Sequence, residues 1–148
     1  MERRVLKRWW RGEEGFSLLE MLVVLAIIGL LASLVAPEVF KQVGRARDTA
    51  ARQQMANIAL ALEQYQLDNG QYPTTEQGLA ALRTAPTLPP LASNWQGPYL
   101  TKDIPKDPWN HDYVYKSPGA NNPAGFDLMS LGKDGQPGGE GENKDIAY

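Results

Sequence analysis

The run Gly15-Phe16-Ser17-Leu18-Leu19-Glu20, continued by apolar and small residues to Ala36 and closed by Pro37, decides how the rest of the chain is read. Phe16 to Ala36 is 21 residues. At about 1.5 Å per helical residue that is roughly 31 Å, the thickness of a bilayer's hydrocarbon core. The segment can therefore span a membrane. Its oddity is Glu20, an ionisable side chain near the start of the span, where a carboxylate is costly and marks a function by default.

Ahead of the run, Arg3, Arg4, Lys7, Arg8 and Arg11 form a basic flank. Such a flank stays on the cytoplasmic side, which sends the C-terminal part across the membrane. Trp9 and Trp10 suit a headgroup interface. A secretory signal cut after the apolar run would use Leu34-Val35-Ala36, which has Leu where a small residue is wanted and Pro37 just beyond the cut. A plain uncleaved anchor explains the length and the flank but not Gly15, Phe16 and Glu20 together.

Ser17 with Glu20 three residues on has the spacing of a capping box, a structural use for the acid. Gly29 and Pro37 are soft points in a helix, since Gly costs about 1 kcal/mol in a helix interior and Pro removes a backbone hydrogen bond. Beyond Pro37 the chain turns polar, yet Met55, Ile58, Leu62 and Tyr65 recur at helical spacing. The pattern predicts an amphipathic continuation with that face on the core of a small domain, ending at Asp68-Asn69-Gly70.

Tyr72-Pro73-Thr74-Thr75-Glu76-Gln77 reads as a turn feeding a short helix, with Thr74 as cap, Gln77 at the capping-box position, and Leu79 and Leu82 on the buried side. Nine of the eleven prolines lie between Pro86 and Pro137, which excludes long helices there, and Pro86 to Pro90 reads as a rigid loop. Tyr113 to Lys116 and Phe126 to Ser130 read as short strands. Trp95, Tyr99, Trp109, Tyr113 and Tyr115 are expected to fill the core, with a carbohydrate platform as the alternative.

The chain of 148 residues has no cysteine, so disulfides cannot support so small a domain. No basic patch suggests nucleic acid. There is one histidine, His111, expected as a surface turn residue in Pro108-Trp109-Asn110-His111-Asp112, and no Ser-His-Asp spacing in a strand-turn-helix context. No enzyme activity is expected.

Asp134, Glu140, Glu142 and Asp145 fall among Gly132, Gly135, Gly138, Gly139 and Gly141. Carboxylates in a bendable loop suit calcium. The spacing is no EF-hand, because Gln136 and Gly138 stand where Asp or Asn would be needed. A solvated acidic tail fits the composition equally well.

The basic flank, Gly15, Phe16 and Glu20 resemble the type III signal of type IV pilins and pseudopilins. Leu67-Asp68-Asn69-Gly70-Gln71-Tyr72-Pro73-Thr74-Thr75-Glu76-Gln77-Gly78-Leu79, Gly97-Pro98-Tyr99-Leu100, Asp107-Pro108-Trp109 and Phe126-Asp127-Leu128-Met129-Ser130-Leu131-Gly132 are similar to the major pseudopilins of type II secretion systems. The likeness runs from Gly15 onward. It implies an α+β, type IV pilin-like fold: a long N-terminal helix on a small domain with short helices, a small antiparallel sheet and a calcium loop. The implied organisation is a cleaved cytoplasmic leader at 1–15, a transmembrane or filament-core helix at 16–36, its amphipathic continuation at 37–69, and a periplasmic globular domain at 70–148.

By the same resemblance a prepilin peptidase cuts after Gly15 and methylates Phe16, and the Glu20 carboxylate pairs with the Phe16 amine of a neighbouring subunit. The subunits form a helical filament, the periplasmic pseudopilus, that pushes folded exoproteins through an outer-membrane channel. Membrane lipid before assembly, minor pseudopilins and an inner-membrane assembly platform are the further implied partners, and the inner membrane facing the periplasm is the implied location. A structural calcium is implied on Asp134 and Asp145 with the backbone carbonyls of Leu131 and Gln136, Glu140 and Glu142 being reserves. Lys144 stands where relatives are often acidic or small. A type IV pilin of a surface fibre would share the signal but usually carries a disulfide. An uncleaved calcium-dependent binding protein using Trp95 and Trp109 would need no cleavage.

Overall fold

The computed structural model describes residues 15–148. The leader residues Arg3, Arg4, Lys7, Arg8, Arg11, Trp9 and Trp10 lie outside them. Two compact units make up the chain, one ending at Phe40 and the other running from Lys41 to Tyr148.

Helix α1, Leu18–Asn69, extends over 52 residues. Ser17 caps it, with its Oγ accepting the Glu20 N–H at 3.1 Å. Pro37 lies inside α1 and has no N–H to give to the Ser33 carbonyl. At the other end Gly70, at φ 78°, donates its N–H to the Gln66 carbonyl at 2.7 Å. That left-handed residue closes the helix at no side-chain cost.

In the first unit, the apolar side chains from Phe16 to Phe40 are exposed. By length and composition α1 can cross a membrane. A helix apolar all round has no partner in water, and a lipid or protein surround must supply one.

The second unit is built on the later part of α1. Ala51, Met55, Ile58, Leu62 and Tyr65 are buried there, the last four being the face expected from their spacing. They join one cluster with Leu79, Leu82, Tyr113, Tyr115, Leu128 and Ile146. Full burial of each large aliphatic side chain contributes about 1.5–3 kcal/mol.

A three-stranded antiparallel sheet has the order β1 (Val114–Lys116), β2 (Asp127–Ser130), β3 (Ile146–Ala147). Tyr115 opposes Leu128, and Ser130 opposes Ile146. The first two strands each begin one residue later than their sequence patterns suggest. The third is too short to show a pattern at all. It brings Tyr148 onto Phe126, with the rings stacked at a centroid distance of 6.2 Å.

The expected short helix at Thr74 is instead two pieces. The capping box forms in full: Thr74 N–H donates to Gln77 Oε1 at 3.0 Å, and Gln77 N–H donates to Thr74 Oγ1 at 3.2 Å. After one turn Gly78 adopts φ 63°, which breaks the helix, and a separate 3-10 helix covers Leu79–Leu82. Gln77 also donates its amide to the carbonyls of Leu88 and Pro90 at 2.7 and 2.8 Å. One buried side chain thus pins the Pro86 to Pro90 loop.

The core differs from the aromatic one expected. Tyr113 and Tyr115 are buried, while Trp95, Tyr99 and Trp109 are partly buried at its edge, and the interior belongs to aliphatic side chains of α1. Trp95 faces inward enough for its Nε1 to donate to the Ala81 carbonyl at 2.9 Å. Desolvation pushes the Tyr113 and Tyr115 hydroxyls up to about 12. Tyr115 donates its proton to the Pro73 carbonyl at 2.7 Å and ties β1 to the turn after α1. Tyr115→Phe strands that buried carbonyl, and chemical denaturation should show a loss of about 1–3 kcal/mol; an unchanged midpoint would mean that water serves the carbonyl.

Candidate functional site

Two parts of the chain carry chemistry that packing does not account for. One is the start of α1. Only half of the capping box there forms: Ser17 accepts the Glu20 N–H. Among the described residues the Glu20 carboxylate has neither a hydrogen bond nor an ion pair. The acid is therefore not consumed by the helix cap, and Phe16, four residues before it, is 75% exposed.

The other part is the loop between β2 and β3. Gly132 is its pinch point. At φ 65° its missing side chain leaves room for the backbone of Glu142, Asn143 and Lys144, each of which would lie 2.9 Å from a Cβ there. Lys133 N–H donates to the Glu142 carbonyl at 2.9 Å beside it. Inside the loop, Asp134 Oδ1 accepts the Gln136 N–H at 3.1 Å, and Asp145 Oδ2 accepts the Gly138 N–H at 2.9 Å. The second oxygen, Asp145 Oδ1, is buried and has no hydrogen-bond partner among the described residues. An orphaned carboxylate oxygen in low dielectric is costly, and a cation is the natural complement.

Of the reserve acids, Glu142 is engaged by the Lys133 ammonium at 2.9 Å, and Glu140 is exposed. Among the described residues no three His, Asp or Glu side chains converge. A site here would have to complete its shell with backbone carbonyls, which a hard cation such as calcium accepts. The donor set present, carboxylate and carbonyl oxygens without thiol or imidazole, fits that ion.

His111 is more than a surface turn residue. Asp107, buried, accepts the N–H groups of Trp109 and His111 on Oδ1 at 3.0 and 2.8 Å and the Ser130 hydroxyl on Oδ2 at 2.5 Å. Asn110, at φ 73°, closes this turn. The His111 ring then reaches across to the Gly132 carbonyl, with Nδ1 at 3.0 Å. The fold thus gathers a Ser, a His and an Asp that no spacing in the sequence announces. They cannot act as a nucleophilic triad, since the Ser130 hydroxyl is fully buried and gives its proton straight to the carboxylate.

A second carboxylate also organises backbone. Asp127 accepts from the N–H groups of Ala120, Asn121 and Asn122, and these bonds, that from Asn121 first, hold its carboxyl below the usual value. It shapes the β1–β2 connection.

Residues 38–148 match the family model "Type II secretion system (T2SS), protein G", and residues 10–36 match the prokaryotic N-terminal methylation motif. The chain belongs to the type II secretion system protein G family. It is 45% identical over 136 residues to the core protein G of the type II secretion system of Pseudomonas aeruginosa, covering 92% of this chain and 94% of that protein. The corresponding protein of Vibrio cholerae is 46% identical over 136 residues, with 92% and 91% covered. The crystal structure of the major pseudopilin of enterohaemorrhagic Escherichia coli is similar at a TM-score of 0.61 and 36% identity, covering 70% of this chain and 87% of that one. The protein G family is thus shared along almost the whole chain, and its methylation motif ends at the residue before Pro37.

Proposed function

We propose that the chain is a structural subunit of the pseudopilus of a type II secretion system, polymerising into a helical filament rather than catalysing a reaction. The observation that carries this reading is the first part of α1, apolar on every side and exposed, in a chain that belongs to the protein G family. A head-to-tail contact between copies that does not close yields an open filament, and growth of such a filament can push exoproteins outward through an outer-membrane channel.

In this reading residues 1–15 are the cytoplasmic leader, and the prepilin peptidase cuts between Gly15 and Phe16 and methylates the new amine. Residues 16–36 rest in the lipid of the inner membrane and then pass into the filament core, while 37–69 and the globular part, 70–148, lie on the periplasmic side. Minor pseudopilins and an inner-membrane assembly platform would be its neighbours. The Phe16 amine and the Glu20 carboxylate are each costly in an apolar surround, by several kcal/mol, unless they meet. Within one chain Glu20 lies near the same helix end, and a neighbouring copy offset along the axis can bring its own amine to it. That pairing fixes register.

The loop between β2 and β3 would hold one structural calcium on the carboxylates of Asp134 and Asp145 and the carbonyls of Leu131 and Gln136. The ion would neutralise the buried Asp145 oxygen and cross-link a glycine-rich segment that has little apolar burial of its own.

Two outcomes follow. Glu20→Ala should leave cleavage intact and reduce sedimentable filaments about tenfold or more; undiminished filaments would remove the pairing role. Removing calcium with a chelator from the detergent-solubilised chain should lower the melting temperature reversibly, by several degrees for about 2–3 kcal/mol of linkage at saturating ion. No shift would return the loop to a solvated acidic tail.

A further inference from the structure

His111 is joined to the β2–β3 loop by two contacts that no packing need explains. The Gly132 carbonyl can only accept a hydrogen bond, so Nδ1 carries the proton in this arrangement. Gly135 lies against the other edge of the ring: a Cβ there would sit 3.2 Å from both Cε1 and Nε2. The imidazole therefore touches the loop on both sides of Lys133 and Asp134.

The same residue is gripped through its other peptide group. Gly132 N–H donates to Ser130 Oγ at 3.2 Å, and that hydroxyl donates to Asp107 Oδ2. Asp107 Oδ1 holds the backbone of His111. One buried carboxylate thus fixes both groups that clamp Gly132, which directly follows Leu131 and lies two residues before Asp134. Across the pinch, Gly132 abuts the backbone of Lys144, the residue before Asp145.

We propose that His111 is a positioning residue for the cation loop: through its bond to the Gly132 carbonyl and its contact with Gly135 it holds the backbone that carries Leu131 and Asp134 in the calcium-accepting arrangement. This rests on the calcium reading above. A residue that orients ligands without touching the ion sets affinity by the cost of ordering the loop, and the loss of such a partner weakens metal binding by about 10–100-fold. The donor matters more than the ring. His111→Asn keeps an amide N–H close to the Nδ1 position, whereas His111→Phe keeps ring volume and loses the proton.

The test uses the detergent-solubilised full chain and calcium alone, with affinity read by calorimetric titration and stability read by melting with and without the ion. His111→Phe should bind calcium about tenfold or more weakly, and His111→Asn should stay within about threefold of the unaltered chain. The calcium-free melting temperatures of the two variants should agree with each other, which separates positioning from a general loss of stability. If His111→Phe binds as tightly as the unaltered chain, His111 does not position the loop, and the calcium reading survives. If both variants weaken equally, the donor is irrelevant and the proposal fails. If the unaltered chain takes up no calcium, both readings fall.

Discussion

One face of α1 supports everything in the second unit. Ala51, Met55, Ile58, Leu62 and Tyr65 supply the apolar wall against which a three-stranded sheet of very short strands can rest. Strands of that length cannot hold themselves together in water, and a sheet needs a hydrophobic face packed on another element. The helix is therefore no appendage of a finished domain. Its last turns are the largest part of the core.

From that dependence the polar architecture follows. Once β1 and β2 lie on the helix, buried backbone groups need partners, and single side chains supply them over long sequence distances. Tyr115 reaches the Pro73 carbonyl, Gln77 holds the Pro86 to Pro90 loop, and Asp107 holds Ser130 and the His111 backbone. Each bond fixes an irregular segment to a regular one. This lets a chain with little regular structure outside α1 present an ordered β2–β3 loop, and it is why a calcium ion there would act as a brace. The same helix is different in the first unit, where its apolar side chains are exposed and the half-formed cap leaves the Glu20 carboxylate without a partner among the described residues.

Legibility in the sequence follows how local each cause is. The extent of α1, its closing glycine and its buried face are written at spacings of three and four residues, and all three appear as expected. The Thr74–Gln77 capping box is equally local and forms, but the helix it should start is cut by Gly78, whose left-handed backbone was visible only as one more glycine. β3 escaped because two residues carry no periodicity; its partner is set by Met129 and Ser130. His111 sits at its expected turn, but its contacts are set at long range: its ring bonds the Gly132 carbonyl directly, and Asp107 links its backbone to Ser130, both about twenty residues away. The unpaired Asp145 oxygen is likewise a property of packing, invisible in a run of acids and glycines.

In the proposed function the apolar start of α1 is a temporary anchor that becomes filament core once the leader is removed. The mass of the subunit recovered from sedimented filaments tests this most directly. The expected subunit begins at Phe16 and carries one added methyl group on its amine. Filaments composed of the full chain, starting at Met1, would contradict it.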